Sequence, residues 1–152
     1  MLKGIPAILS PELLAILMEM GHGDELVLAD GNFPAAACAR RLVRADGHGI
    51  PELLDAVLQL YPLDSYIDEP VALMQVVPGD PVVPTIWDQY REIADRHEGR
   101  PIRQAFVERF EFYERAKKAY AIVATGERAQ YANIVLTKGV VLQQAGGPET
   151  GA

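Results

Sequence analysis

Leu13, Leu14, Leu17 and Met20 recur at helical spacing behind Ser10-Pro11-Glu12, and the pattern stops at Gly21. A serine hydroxyl can take an orphan backbone N–H, proline is pre-set for the first helical position, and glycine allows a sharp exit. The spacing therefore predicts a helix over about residues 11 to 20. Leu26, Val27 and Leu28 then form an apolar run too short for a helix, as in a central strand covered on both faces, with Asp30 where it stops. The small residues from Ala35 to Arg41, opened by Pro34, read as a short helix, and Leu42-Val43-Arg44 as a strand. Pro51 begins a helix with Leu53, Leu54, Val57 and Leu58 on one face, and Pro62 prevents it running further.

Val71 to Val77 is a run of strand length closed by Pro78-Gly79-Asp80-Pro81. Thr85 and Asp88 form an acidic version of a capping box ahead of a helix carrying Trp87, Tyr90, Ile93 and Ala94, which Gly99-Arg100-Pro101 ends. Ile102 to Arg109 reads as a strand, Glu111 to Ala119 as a helix, and Tyr120 to Ala124 and Ile134 to Leu136 as two more strands. Strands alternating with helices imply a single three-layer α/β domain, with a mostly parallel sheet of about five or six strands and helices on both faces. The short link before the last strand predicts an antiparallel partner there. Gln143 to Ala152 has no apolar pattern, so the domain is expected over 1–141 and a flexible tail over 142–152.

Composition narrows the function. Of 152 residues, 49% are apolar and 23% charged, the balance of a compact soluble protein. Lys plus Arg is 14 against 21 for Asp plus Glu, and a net charge of −7 would repel a nucleic-acid backbone. Cys38 is the only cysteine, so no intrachain disulfide forms and the cytoplasm is the expected compartment. Pro6 and Pro11 interrupt the N-terminal apolar residues, and no run is long enough to span a bilayer, so no membrane partner is expected. Neither phosphate-binding glycine motif occurs, and the spacing of His22, Asp24 and His48 fits no ligand motif, so no nucleotide or metal is expected. Cys38, beside Arg40 and Arg41 with no nearby histidine, reads as an inert thiol. His97 near a helix end reads as favoured by the helix dipole, and Trp87 and Tyr90 as core or subunit contact.

The candidate chemistry lies in the stretch from Met20 to Asp30, where the glycine-flanked His22 precedes a strand and a carboxylate follows it. Histidine is the side chain that titrates near neutrality, which points to proton transfer. Asp30 is at the carboxyl end of its strand, where open α/β sheets bind ligands. His22 then lies at the opposite end, unless the glycine loop curls back or a neighbouring subunit supplies the mouth. Arg109, Tyr131 and Asn133 offer the guanidinium, phenol and amide that a polyol needs.

Several runs carry a resemblance: Gly21-His22-Gly23-Asp24-Glu25 with Asp30 and Phe33-Pro34, Arg44-Ala45-Asp46-Gly47, Leu63-Asp64-Ser65-Tyr66, Arg109 to Ala116, Thr125 to Arg128, Tyr131, Asn133 and Lys138-Gly139-Val140. They resemble the family of small sugar mutarotases that contains ribose pyranase and L-fucose mutarotase, and within it the fucose branch, over residues 1–141. The resemblance implies His22 as the proton donor and Asp30, Arg109, Tyr131, Ala132 and Asn133 as sugar contacts. It implies interconversion of the α and β anomers of L-fucose, or of other pyranoses such as D-ribose, by ring opening and closure without cofactor. Ala132 stands where glycine is frequent, so its methyl group is expected to trim the pocket. The resemblance further implies a monosaccharide substrate and a ring-shaped homo-oligomer with sites near subunit boundaries. The alternative is a non-catalytic sugar-binding or transport-accessory protein, and a metal-dependent sugar isomerase is a third reading.

Overall fold

The computed structural model describes residues 1–143. Its elements run α1 (Pro11–Glu19), β1 (Glu25–Ala29), α2 (Ala35–Cys38), β2 (Leu42–Ala45), α3 (Ile50–Leu58), β3 (Val71–Met74), α4 (Ile86–Glu98), β4 (Gln104–Val107), α5 (Arg109–Lys118), β5 (Ala121–Thr125) and β6 (Ile134–Thr137). The strands form one six-stranded sheet in the order β2-β5-β1-β6-β3-β4. All run parallel except β6, which is antiparallel to both its neighbours, β1 and β3. Chain length explains the reversal: the eight residues between β5 and β6 cannot hold a crossover, which takes about a dozen or more.

The period of a strand puts successive side chains on opposite faces, so β1, at the middle of the sheet, feeds two cores. Leu26 and Leu28 pack with Leu13 and Leu17 of α1, Leu53 and Leu54 of α3 and Tyr90 of α4. Val27 and Ala29 pack with Ala35 of α2 and Phe112 and Ala116 of α5. The expected three-layer arrangement is present, and helix α1 starts as predicted, with Ser10 accepting from Leu13 N–H at 3.1 Å.

Several boundaries differ from expectation, each for a local reason. β3 ends at Met74 rather than Val77, because beyond Gln75 the chain turns, with Asp80 N–H donating to Val77 O and Gly79 at φ 91°. β4 ends at Val107 rather than Arg109, because the Glu108 carboxylate accepts from the N–H groups of Phe110 and Glu111 and starts a helix there. Arg109 is thus the first residue of α5. The capping box at Thr85 does not form: Thr85 is itself helical in φ and ψ, and its side chain makes no cap bond. Helix α2 stops at Cys38, short of Arg41. The frayed tail expected from Gln143 onward falls, beyond that residue, outside the described ones. Among the described residues, no helix is long and apolar enough to cross a membrane.

Candidate active site

A cavity of about 320 Å³ opens where β1 and β3 end and α5 begins, lined by Asp30, Met74, Asp80, Arg109, Tyr131 and Asn133 among others. That volume is at the small end for ligand sites. Asp30 is held by an Asx turn, its Oδ1 accepting from Asn32 N–H and Phe33 N–H at 3.0 Å each. Burial pushes its carboxyl above the usual range, against the opposing pull of backbone N–H groups of Asn32, Phe33 and Ala132. The two bonds to Oδ1 fill about half of the carboxylate's roughly four acceptor directions and leave the rest open. Asn133 Oδ1 accepts from Asp30 N–H at 2.7 Å, which leaves its amide N–H₂ as the free end. Arg109 Nε donates to the Tyr113 hydroxyl at 3.1 Å, one helical turn on, and that bond raises the guanidinium further above its already high value. Phe33 meets Tyr113 edge-on with ring centres 5.4 Å apart, giving the cavity one aromatic wall.

The segment carrying Tyr131 and Asn133 is fixed from behind by α4. Trp87 Nε1 donates to Tyr131 O at 2.8 Å, and the Tyr90 hydroxyl donates to Ala132 O at 2.7 Å. Burial raises the Tyr90 hydroxyl well above the ordinary phenol value, so it stays a donor. Tyr131 is the one non-glycine residue at positive φ among those described, at 56°. Such a conformation is unfavourable for a bulky residue and persists where the surroundings over-determine it. Ala132 differs from expectation: its methyl group is fully buried in the α4-side core and does not line the cavity. It serves the site through its backbone.

His22 is elsewhere. Its loop precedes β1 whereas Asp30 follows it, and five strand residues alone put on the order of 16 Å between those ends. The glycine loop does not curl back. Asp24 Oδ2 accepts from Gly21 N–H at 2.7 Å, Gly23 takes φ 87° and donates to Lys138 O at 2.8 Å, and Lys138 Nζ bonds Leu17 O and Met20 O at the end of α1. The imidazole does not face Asp30 but Asp64, with Nε2 3.0 Å from Oδ1. Asp64 is 3% exposed and also accepts from Tyr66 N–H at 3.0 Å, while the Tyr66 ring lies 5.4 Å from the imidazole. A carboxylate can only accept, so the hydrogen in the contact belongs to Nε2, and Nδ1 is the nitrogen left to work.

Residues 3–141 match the model of the RbsD / FucU transport protein family. The chain belongs to that family. It is 56% identical to the fucose mutarotase of Homo sapiens over 146 residues, covering 92% of this chain and 94% of the relative. The crystal structure of the fucose mutarotase of Streptococcus pneumoniae in complex with L-fucose superposes with TM-score 0.87 at 56% identity, covering 93% of this chain and all of that one. The structure of Bacillus subtilis RbsD complexed with D-ribose aligns with TM-score 0.67 at 20% identity, covering 88% of this chain and 95% of that one, a likeness of fold alone.

In this member of the RbsD / FucU family, Asp30, Arg109, Tyr131 and Asn133 converge on one cavity and His22 stands apart. Sequence reading missed Asp64, Tyr113 and Asp80. Asp64 lay within a run already noticed, but nothing local pairs it with a histidine 42 positions away. Asp80 was read only as part of a strand-closing turn, though its side chain reaches Tyr131 across 51 positions. Tyr113 was detectable, since i and i+4 positions meet on a helix, had Arg109 been placed on α5. His22, Asp24 and His48 do not gather: among the described residues no three His, Cys, Asp or Glu side chains are grouped as a metal site requires.

Proposed function

We infer that this chain catalyses the interconversion of the α and β anomers of L-fucose. What carries the inference is the cavity itself: a carboxylate, an amide, a guanidinium and a phenol, each fixed by a protein partner, on a chain 56% identical to a fucose mutarotase solved with L-fucose. The chemistry needs a proton delivered to the ring oxygen and one withdrawn from the anomeric hydroxyl. The hemiacetal then opens to an aldehyde, rotates and closes on its other face. No redox change occurs, so proton-transfer groups and hydroxyl contacts suffice. Asp30 accepts from a sugar hydroxyl, while Asn133 and Arg109 donate to others.

His22 is the general acid on opening and the base on closing, with Asp64 holding its tautomer so that Nδ1 handles the proton. Because His22 and the cavity lie at opposite ends of β1 in one chain, the histidine is supplied by a neighbour in a ring-shaped homo-oligomer. Exposed apolar residues flank both halves: Tyr66 against His22, followed by Ile67, and Val77 at the cavity, with Phe110 next to Arg109, each at least 39% exposed. Clusters of this kind mark interaction surfaces.

The test is magnetisation exchange between the anomers of L-fucose, D-ribose and galactose, with wild type, His22→Ala and Asp64→Asn. Wild type should accelerate exchange of L-fucose most. His22→Ala should lose roughly 10² to 10⁴ in rate, the usual worth of general acid–base catalysis. Sugar binding without any acceleration would leave only a sugar-binding protein.

A further inference from the structure

The proton taken from the anomeric hydroxyl needs an acceptor, and one hydroxyl of the cavity, that of Tyr131, has its own hydrogen already committed to a carboxylate. Tyr131 Oη lies 2.6 Å from Asp80 Oδ2 and accepts from Val77 N–H at 3.3 Å. Only the phenol carries a hydrogen for the shorter contact, so Tyr131 donates to the carboxylate. The consequences have the expected opposite signs: this bond holds the Asp80 carboxyl below its usual range and pushes the Tyr131 phenol above its own. Asp80 is therefore an anion and Tyr131 a neutral phenol at working pH. Tyr131's hydrogen points at Asp80 and Val77 occupies one acceptor direction, so the group has a lone pair, and no hydrogen, to offer a ligand.

The pair is held from both sides. Asp80 Oδ1 accepts from Val82 N–H at 3.1 Å, and Asp80 N–H donates to Val77 O at 3.1 Å, which fixes the carboxylate within its own turn. Trp87 and the positive φ fix Tyr131 from the other side. Both residues line the cavity with Asp30, Arg109 and Asn133.

We propose that Tyr131 and Asp80 form the proton-accepting arm of the ring-opening step, with Tyr131 Oη taking the anomeric proton as its own passes to Asp80 Oδ2. The step balances. The anomeric O–H bond breaks and its electrons form the carbonyl. The bond from the anomeric carbon to the ring oxygen breaks, and the ring oxygen takes a proton from imidazolium His22. Asp80 ends as a neutral acid, His22 as a neutral imidazole and Tyr131 unchanged. Closure on the other face runs the transfers backwards and restores the enzyme. Tyr131 is the catalytic residue here because it touches the reacting hydroxyl, and Asp80 acts through it.

This rests on the mutarotase reading, and the experiment separates the two. Anomer exchange and the dissociation constant for L-fucose are measured on wild type, Asp80→Asn and Tyr131→Phe. Asp80→Asn keeps an acceptor for Val82 N–H and removes the charge; Tyr131→Phe keeps the ring and removes the relay oxygen. Each is expected to lower the saturating exchange rate about 100-fold or more while changing the dissociation constant less than about threefold, since proton transfer is lost and most hydroxyl contacts remain. Retained binding shows at once that the variants fold. If wild type exchanges anomers and Asp80→Asn does so at the same saturating rate, the relay is wrong and the mutarotase reading stands. If the rate and the binding fall together by the same factor, Asp80 only shapes the pocket and the relay is again wrong. If wild type binds fucose without exchange, both fall.

Discussion

Asp30 and Asp64 are both buried, at 7% and 3% exposure, and their surroundings decide what each does. Asp64 faces an imidazole and a backbone N–H, whereas Asp30 faces the cavity with a carboxyl that burial has pushed upward. A raised folded-state value means that the native protein holds this proton more tightly than the unfolded chain does. The stability Asp30 contributes is therefore complete below the unfolded carboxyl value of about 3.9, and is lost as pH rises through the raised folded value. Asp30→Asn, which keeps an oxygen for the N–H groups of Asn32 and Phe33, should match or exceed wild type in urea midpoint at pH 7. That advantage should shrink toward pH 4, while affinity for L-fucose falls at least about tenfold through loss of a charged hydroxyl contact. A large loss of stability at pH 7 would show that the charge itself is needed to hold the turn.

Trp87 and Tyr90 of helix α4 read from sequence as core or subunit contact, and the full burial of Tyr90, with Trp87 packed against the same core, agrees with the first. The helix's second task is to carry hydrogen bonds across to the Tyr131–Asn133 segment, from Trp87 Nε1 and the Tyr90 hydroxyl. No periodicity signals this, because the donors sit at the ends of side chains whose rings are counted as apolar. Tyr90→Phe keeps the ring and leaves the buried carbonyl of Ala132 without its donor, which should cost about 1 to 3 kcal/mol in chemical denaturation. The loosened segment should also weaken fucose binding, measurable by calorimetry, while Tyr61→Phe, whose hydroxyl donates to Leu136 O away from the cavity, should lower stability without that loss of binding. The sheet itself was legible: the central strands, the alternation with helices and the reversed last strand are all present. What failed were strand ends, at Val77 and Arg109, where a single carboxylate or a glycine turn outweighs a run of apolar residues.

At the scale of the whole molecule, one chain contains every piece of the proposed chemistry but keeps them at two ends of its sheet. If the site is completed by a neighbour, His22→Ala and Arg109→Ala should each be nearly inactive alone. Dissociated, mixed in equal amounts and reassembled, they should recover about a quarter of wild-type exchange, because in a closed head-to-tail ring that share of boundaries joins an intact His22 to an intact Arg109. No recovery in a mixture shown by native mass spectrometry to contain hybrid rings would mean that each chain works alone. The sequence by itself determined the layers and named four of the residues that line the cavity, Asp30, Arg109, Tyr131 and Asn133, since apolar residues repeat at strand and helix spacing and the family runs name side chains by position. Only the tertiary structure decided which of them meet. His22 with Asp64 and Tyr131 with Asp80 are pairs 42 and 51 positions apart. Hydrophobic periodicity is a local property written along the chain, whereas contacts such as these depend on where loops return after crossing the sheet.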